Sequence, residues 1–475
     1  MYQIKANVLS GGRFFRFIGI ERERIAFIKD SSEKNIETID LSDKYIYPGF
    51  IDAHTHLLWY GLNLIRCNLS GVKSEEEIYL RIEKYARENL NSEYIIAEGF
   101  DETKFKKNKF PSKAMLDAMN LKKPVIVRRV CGHIAVLNEE AVRLLKNQLN
   151  GNFDNRSGIA REGIVLSLNT VLKPAKADMQ RALSEAQNMF FSLGITSIGD
   201  MATYDSFDIY DSRNLKLDVF FYYPAMLAEN LQGWKDRKNV KLKGLKLFTD
   251  GSIGGRTAAL TIPYKNTKEK GEIVLKRTDF RKAFATAEKN SYQLAVHAIG
   301  DEAIEYSLKN LVGRKNDRIE HFELAAREQI DRVRKQSLML SMQPNFIGNW
   351  AMKGQMYEER LDKKYYEFNN VVSEIYEKSI PLGFGSDCMP PSPVYGIESL
   401  AKAQFENQRM KPSISLKCYT EGSAEIMNEG KNFGKLEKGY FADMTVFDSP
   451  IEKIPAKNPR IVMTFKRGKK VFTKE

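Results

Sequence analysis

Four of the five histidines in the chain fall where a predicted strand ends, at His54, His56, His297 and His321. Alternate residues of a strand point to the same side, so the imidazoles of His54 and His56 should both face the interior of the sheet structure. Imidazoles that converge from different strands could hold zinc or a similar borderline cation and leave a coordination position open to water. The histidine spacing therefore predicts a metal centre.

Two further residues could take part in this centre. Asp387 ends the last predicted strand, which in a closed barrel lies beside the first strand, so its carboxylate could reach a metal held by His54 and His56. Lys246 lies inside a predicted strand with apolar neighbours on both sides. A lysine buried there would either lose its proton or be chemically masked.

Each of these residues also has a purely structural interpretation. The two histidines at 54 and 56 could form a polar strand face or a satisfied pair in the core, and His297 and His321 could each be structural. Lys246 could be a snorkelling side chain, and Asp387 could cap a following helix. The coincidence of the four histidines and Asp387 at the ends of the first, fifth, sixth and eighth predicted strands favours the metal centre.

Most of the chain alternates short β-branched or aromatic runs with amphipathic helical stretches, the pattern of βα units with a parallel sheet. Eight strands are predicted, which is the number in a (β/α)8 TIM barrel, whose active site lies at the C-terminal ends of the strands. The predicted strands are residues 47–56, 196–201, 217–223, 244–250, 293–300, 318–323, 338–343 and 381–387.

The remaining segments predict two additions to the barrel. Residues 1–47 and 432–475 carry short strands that need partners, so they are predicted to form one composite β-sandwich domain. About 140 residues separate the first two barrel strands, whereas a βα unit needs about 30. We therefore predict an α+β subdomain inserted at 71–171, opening with a helix capped at Ser74, and a metal-binding barrel at 48–70 plus 172–431.

Composition excludes several classes of protein. With 475 residues, of which 43% are hydrophobic and 28% charged, the chain is too apolar to be disordered. The cysteines, Cys67, Cys131, Cys388 and Cys418, form no C-x-x-C pair, which argues against a zinc ribbon or a redox motif. No apolar run is long enough to span a bilayer and the start lacks a signal-peptide pattern, so we expect a cytoplasmic protein.

Beyond these patterns, the sequence resembles a known family. The segment Tyr47-Pro-Gly-Phe-Ile-Asp-Ala-His-Thr-His56 looks like the opening motif of the amidohydrolase superfamily, and the β domain shared by the termini is its usual companion. Further segments resemble the N-substituted formamide deformylase-like, or YtcJ-like, group of metal-dependent hydrolases, and the likeness extends over essentially the whole chain. These segments are residues 110–117, 124–133, 244–258, 296–301, 318–321, 383–387 and 434–443.

The resemblance implies a centre of two divalent ions, usually zinc, although other divalent metals would fit. The residues implied for one ion are His54, His56 and Asp387, those for the other are His297 and His321, and the bridge is a carboxylated Lys246. Carboxylation would turn the buried cation into an anionic oxygen ligand. In relatives without it, the site holds one metal.

The implied activity is hydrolysis of a C–N bond other than a peptide bond, in an amide or a formamide-like compound. A metal-activated hydroxide would attack the carbonyl, with Asp387 as general base and then as general acid. The expected partner is a small amide-like substrate, neither nucleic acid nor a membrane is expected, and pairing into a homodimer is left open. Candidate substrate contacts are His133, Glu162, Arg256 and Trp350.

Three other interpretations stay open from the sequence. A deaminase of the same superfamily would need one metal and no lysine carbamate, so counting metals would separate it from the hydrolase. A barrel that serves as a non-catalytic scaffold would bind no metal. The net charge of +13 would also suit a basic nucleic-acid-binding protein, which would show salt-sensitive binding to duplex DNA.

Overall fold

The computed structural model describes residues 1–90, 92–106, 109–129, 134–147, 149, 153–161, 164–165, 168, 172–202, 210 and 215–474. The described residues form two compact units, one of residues 1–57 and 187–475 and one of residues 58–186. Each unit has its own hydrophobic core. None of the helices in the described part of the chain combines the length and the apolar character that crossing a membrane requires.

Strands account for the framework of both units. In chain order they are β1 (Tyr2–Ser10), β2 (Arg13–Glu21), β3 (Arg24–Lys29), β4 (Glu37–Pro48), β5 (Phe50–Thr55), β6 (Cys67–Asn68), β7 (Ile95–Phe100), β8 (Val125–Arg129), β9 (Ile134–Leu137), β10 (Phe153–Asp154), β11 (Ile159–Arg161), β12 (Ile195–Met201), β13 (Asp218–Pro224), β14 (Val240–Phe248), β15 (Gln293–Ala298), β16 (Arg318–His321), β17 (Met339–Met342), β18 (Leu382–Phe384), β19 (Met444–Phe447), β20 (Ile461–Lys466) and β21 (Lys469–Thr473).

The α-helices lie between these strands. They are α1 (Leu57–Ile65), α2 (Glu75–Glu88), α3 (Lys113–Ala118), α4 (Glu139–Leu144), α5 (Lys176–Ser192), α6 (Arg277–Asn290), α7 (Asp301–Asn310), α8 (Arg327–Lys335), α9 (Pro344–Phe346), α10 (Met356–Arg360), α11 (Lys363–Glu367), α12 (Val372–Glu377), α13 (Pro393–Ala401), α14 (Pro412–Lys417) and α15 (Ser423–Ile426). Short 3-10 helices cover Glu102–Lys104, Ala225–Leu231 and Ile451–Lys453, and π-helical turns cover Ile347–Ala351 and Cys418–Gly422.

The barrel of the first unit is an eight-stranded parallel sheet in the order β18-β17-β16-β15-β14-β13-β12-β5. Its two edge strands meet at their C-terminal ends, where the backbone N–H of Asp387 donates to the carbonyl of His54 over 2.7 Å. The buried Asp52 carboxylate also accepts from the backbone N–H of Ser386 over 2.9 Å. The predicted barrel, with all eight strands, is confirmed.

The first predicted barrel strand divides at Gly49. The residues before it belong to β4 in another sheet, and those after it form β5. A Cβ at Gly49 would lie 2.4 Å from Oγ1 of Thr196, so the crossing from one sheet to the other has no room for a side chain. The sequence did not reveal this division because the apolar residues 45–48 and 50–51 continue across Gly49 without interruption.

Both termini contribute to a seven-stranded sheet, as predicted, in the order β21-β20-β19-β4-β1-β2-β3. The antiparallel pair β19–β4 joins the C-terminal strands to the N-terminal ones. At the N-terminus, β1 pairs antiparallel with β2 and in parallel with β4. Its apolar side chains Ile4 and Val8 are fully buried in the core of this sheet.

The second unit contains the predicted insertion, whose six-stranded sheet has the order β10-β11-β9-β8-β7-β6. The strands β6, β7 and β8 are parallel and the rest antiparallel, which is the α+β character that the sequence predicts. Helix α2 begins as predicted, with Oγ of Ser74 accepting from the backbone N–H of Glu77 over 3.2 Å, and it buries Ile78 and Ile82. The exact domain boundaries given above remain predictions.

Candidate metal centre

His54 is the deepest member of the candidate centre and lies fully buried in β5. Its Nδ1 is 2.6 Å from Oε2 of Glu320, which also forms an ion pair with Arg318. Arg318 in turn donates to the carbonyl of Ala53 over 2.7 Å. These contacts fix the His54 ring from behind, and its Nε2 faces Oδ1 of Asp387 at 3.8 Å.

His56 follows β5 directly and lies closer to the mouth of the barrel, with 27% of its side chain exposed. Its Nδ1 is 3.1 Å from the carbonyl oxygen of Met201 at the end of β12. Its Nε2 is 3.1 Å from Oδ1 of Asp387. The first and last barrel strands thus bring two imidazoles to one carboxylate.

His297 and His321 come from β15 and β16 and complete the group. Nδ1 of His321 is 2.8 Å from Oε1 of Gln343, and the His321 ring centre lies 4.8 Å from that of His54 and 4.6 Å from that of His297. Nε2 of His297 lies 3.0 Å from the carbonyl oxygen of Gly251 and 3.4 Å from Oδ1 of Asp250. All four histidines at strand ends therefore meet at one end of the barrel.

The oxygen atoms around each imidazole determine which of its two nitrogens is free to bind a metal. A carbonyl, amide or carboxylate oxygen accepts the N–H of an imidazole, so the other nitrogen keeps its lone pair. His54 and His321 have such an oxygen at Nδ1 and present Nε2 to the centre, whereas His56 has oxygens at both nitrogens, the carbonyl of Met201 at Nδ1 and the carboxylate of Asp387 at Nε2. His297 has it at Nε2 and keeps Nδ1 free. The tautomers of His54, His321 and His297 are those that metal-ligating histidines adopt.

Ligand atoms of His54, His321 and Asp387 all lie within 4.8 Å of one another, a spacing that could hold a metal ion. Burial lowers the pKa of His54 to about 4, so this imidazole is neutral at neutral pH and can ligate. Burial tends to raise the pKa of Asp387, but the hydrogen bond from His56 and the electrostatic interactions with the neighbouring histidines outweigh it and hold that pKa below its usual range. The carboxylate is therefore ionised.

Lys246 lies in β14 and is only 3% exposed. Its Nζ has no hydrogen-bond partner among the described residues, and burial lowers its pKa to about 8. A buried amine without an acceptor is costly, so the position fits a lysine whose nitrogen is modified or shared with a ligand. The donor set of imidazoles, a carboxylate and this orphaned nitrogen fits a divalent cation of the zinc type.

The residues behind the ligands were not identified from the sequence. Glu320, Gln343 and Asp250 hold His54, His321 and His297, and Asp52 holds the two edge strands together. The available signal was the pair Arg318 and Glu320, which alternate with the apolar Ile319 in a strand that is buried throughout. Such alternation shows that the polar residues share a face, but it does not say which atoms they contact.

The structure describes two of the four predicted substrate contacts, Arg256 and Trp350. His133 and Glu162 lie outside the described residues. Trp350 is half-buried, and its ring centre lies 4.7 Å from that of Phe346. The Phe346 ring stacks on His321 with 6.0 Å between the ring centres. Arg256 is 42% exposed and pairs with Glu269 at 3.5 Å.

Comparisons with known proteins place this geometry in context. The model of the amidohydrolase family matches residues 37–472, which is most of the chain. A Bacillus subtilis (strain 168) protein named amidohydrolase YtcJ is 26% identical over 455 residues, covering 86% of this chain and 85% of its own length. The N-substituted formamide deformylase of Arthrobacter pascens is 22% identical over 495 residues, covering 94% and 90%.

A solved structure is also similar over nearly the whole chain. The crystal structure of an uncharacterized metal-dependent hydrolase from Pyrococcus furiosus superimposes with a TM-score of 0.86 and 27% identity, covering 95% of this chain and 100% of that one. The fold and the metal-dependent hydrolase class are therefore shared with this protein.

Proposed function

This chain belongs to the amidohydrolase family and is a metal-dependent hydrolase, and from that premise we propose that it hydrolyses an amide or formamide-like C–N bond, other than a peptide bond, in a small molecule. The observation that carries the proposal is the convergence of His54, His321 and Asp387 within 4.8 Å, beside an orphaned Lys246. The similarity to a protein named N-substituted formamide deformylase supports the bond type.

We propose that the centre holds two zinc ions. Nε2 of His54 and of His56 would bind one ion together with Asp387, since both nitrogens face that carboxylate. His297 and His321, whose rings are 4.6 Å apart, would bind the other. Carboxylated Lys246 would bridge them, which would also remove the unpartnered buried amine.

The reaction uses a few groups of the chain in defined roles. A bound divalent cation lowers the pKa of a coordinated water toward neutrality and polarises a carbonyl oxygen. Asp387 is ionised and sits at the mouth beside His56, so its carboxylate can accept a proton from the attacking water. The same carboxyl can then donate that proton to the departing nitrogen. Glu320 and Gln343 keep the rings of His54 and His321 in the orientation that ligation needs.

We also propose what this protein binds and where it is located. The partner of this protein is a small amide-like molecule rather than nucleic acid or a membrane, and its location is the cytoplasm. Two basic residues near the C-terminus, Lys466 and Arg467, are held in buried ion pairs with Asp218. They offer little to a phosphate backbone.

Metal analysis combined with matched variants tests the proposal. We expect the purified wild-type protein to contain about two divalent ions per chain and to hydrolyse members of a panel of formamides, N-acyl amino acids and cyclic amides. Lys246→Ala should lose metal and activity together. Asp387→Asn should lose activity by a factor of about 100 or more while keeping at least one ion.

The outcomes separate the alternatives. One ion per chain and an active Lys246→Ala protein would identify a mononuclear deaminase instead. A protein without metal, whose properties do not change when zinc is added during purification, would be a scaffold. Steep, salt-dependent binding to duplex DNA without hydrolysis would support a nucleic-acid-binding protein.

A further inference from the structure

Phe248 is an exposed aromatic residue directly beside the candidate metal centre. It ends β14, two residues after Lys246, so both side chains point to the same side of the strand. The Phe248 ring centre lies 4.9 Å from Nζ of Lys246 and 5.5 Å from the ring centre of His297. Even so, 47% of Phe248 is exposed.

Two more apolar residues are exposed next to the end of this strand. The backbone N–H of Val274 donates to the carbonyl of Thr249 over 2.9 Å, which places residue 274 alongside the end of β14. Val274 is 58% exposed and Ile273 is 38% exposed. We call Phe248, Ile273 and Val274 the apolar rim. Apolar side chains exposed together beside a polar reaction centre are typical of a ligand pocket.

The charge near the rim indicates what kind of group it would bind. Arg256, the cation in the loop between β14 and α6 that the sequence predicts as a substrate contact, is paired with Glu269. Lys246 is buried at the metal centre. Arg256 already has an anionic partner, and an uncharged apolar group would cover the exposed carbon surface of the rim.

Building on the proposed hydrolysis, we propose that the apolar rim binds an apolar substituent, aromatic or branched aliphatic, of the amide substrate. The reacting carbonyl would lie at the metal centre, and the substituent would lie on the Phe248 ring, which is adjacent to His297. Aromatic and aliphatic groups both pack well on a phenylalanine face. The substrate class is thus an amide with one bulky apolar side.

A matched series of amides tests this proposal. The probes are formamides and acetamides whose nitrogen carries a methyl, an isobutyl or a 2-phenylethyl group, together with 3-phenylpropanamide as the counterpart with the ring on the acyl side. We expect the wild-type protein to prefer the bulky members. In Phe248→Ala the ratio of kcat/KM between bulky and methyl members should fall about tenfold or more. The matched control is Phe14→Ala, which removes an aromatic residue 40% exposed in the terminal sheet and should leave the ratio unchanged.

A binding measurement keeps this test separate from the proposed hydrolysis. Metal-loaded Asp387→Asn protein and the double variant Asp387→Asn/Phe248→Ala are titrated calorimetrically with N-(2-phenylethyl)acetamide, with metal content measured in both. We expect Kd to rise about tenfold in the double variant. This readout tests the rim even if the wild-type protein hydrolyses none of the amides, a result that would overturn the proposed function.

Three results would overturn the apolar subsite. The first is a selectivity ratio and a Kd that Phe248→Ala leaves unchanged at equal metal content. The second is an equal loss for methyl and bulky members, which would assign the ring to support of the metal centre alone. The third is dissociation of a dimer by Phe248→Ala, which would show that a second copy of the chain covers the rim.

Discussion

Replacement of Glu320 by glutamine should damage both stability and metal binding, for different reasons. Glu320 is completely buried, with one carboxylate oxygen 2.6 Å from Nδ1 of His54 and 2.9 Å from Nη2 of Arg318. Burial alone would raise its pKa, but Arg318 and His54 hold that pKa well below the usual range. The Glu320 side chain is therefore an anion at neutral pH, and Glu320→Gln removes a buried negative charge.

The structure sets the size of the effect. Arg318 is also fully buried, and in Glu320→Gln the acceptors left to its guanidinium among the described residues are neutral, namely the carbonyl of Ala53 at 2.7 Å, the hydroxyl of Tyr222 at 3.3 Å and the new amide oxygen. Leaving one member of a buried ion pair unpaired costs about 3 to 5 kcal/mol, and because these acceptors remain we expect about 3 kcal/mol. Loss of the oriented His54 ring should weaken metal binding by a factor of about 10 to 100.

The double variant Arg318→Met/Glu320→Gln separates the two effects. It removes the unpaired guanidinium, so most of the lost free energy of unfolding should return, while metal binding stays weak because His54 still lacks its anionic partner. Stability is measured by urea unfolding of chelator-treated protein and metal affinity by competition with a chromogenic chelator. The control is Glu429→Gln, whose carboxylate is bonded to Lys241 and Lys243 at 3.0 Å near the start of β14 and should affect stability only.

Two results would refute this reasoning. If the double variant is no more stable than Glu320→Gln alone, the unpaired charge is not the source of the destabilisation. If Glu320→Gln binds metal as tightly as the wild type, the contact to Nδ1 does not orient the His54 ring for ligation.

Three other changes have predictable effects. Gly385→Ala should lower stability by about 2 kcal/mol and reduce metal content, because its Cβ would lie 2.4 Å from the backbone nitrogen of His54 and push the edge strands apart. Burial raises the pKa of Glu323 to about 7, so unfolding releases a proton above pH 4.5. The stability of the wild type relative to Glu323→Gln should therefore fall by about 3 kcal/mol between pH 4.5 and 7, measured by urea unfolding in chelator. Ser74→Ala should cost the second unit about 1 kcal/mol by removing the cap of α2, measured by amide hydrogen exchange.

Each of these predictions has its own contradicting outcome. Gly254→Ala is the control for Gly385→Ala because a Cβ there meets nothing closer than 3.6 Å, and equal effects of the two would rule out the steric explanation. A constant stability difference between pH 4.5 and 7 would mean that Glu323 is not protonated in the folded state. Unchanged exchange in α2 of Ser74→Ala would mean that the cap contributes nothing.

The sequence alone determined the architecture and predicted which residues gather at the candidate site. Eight apolar runs alternating with helical stretches specify a parallel barrel because buried parallel strands and amphipathic helices have different periods. Residues that end those strands must meet at one mouth, so His54, His56, His297, His321 and Asp387 could be grouped before any contact was known.

The tertiary structure alone decided how those residues are held and what lies around them. Which ring nitrogen is free depends on Glu320, Gln343 and Asp250, and the apolar rim forms because a loop brings Val274 beside the end of β14. These contacts join residues far apart in the chain, and their geometry follows from barrel closure and strand register. Local sequence patterns indicate the type of each element and which of its faces is polar, but they do not give the distances between side chains on different strands.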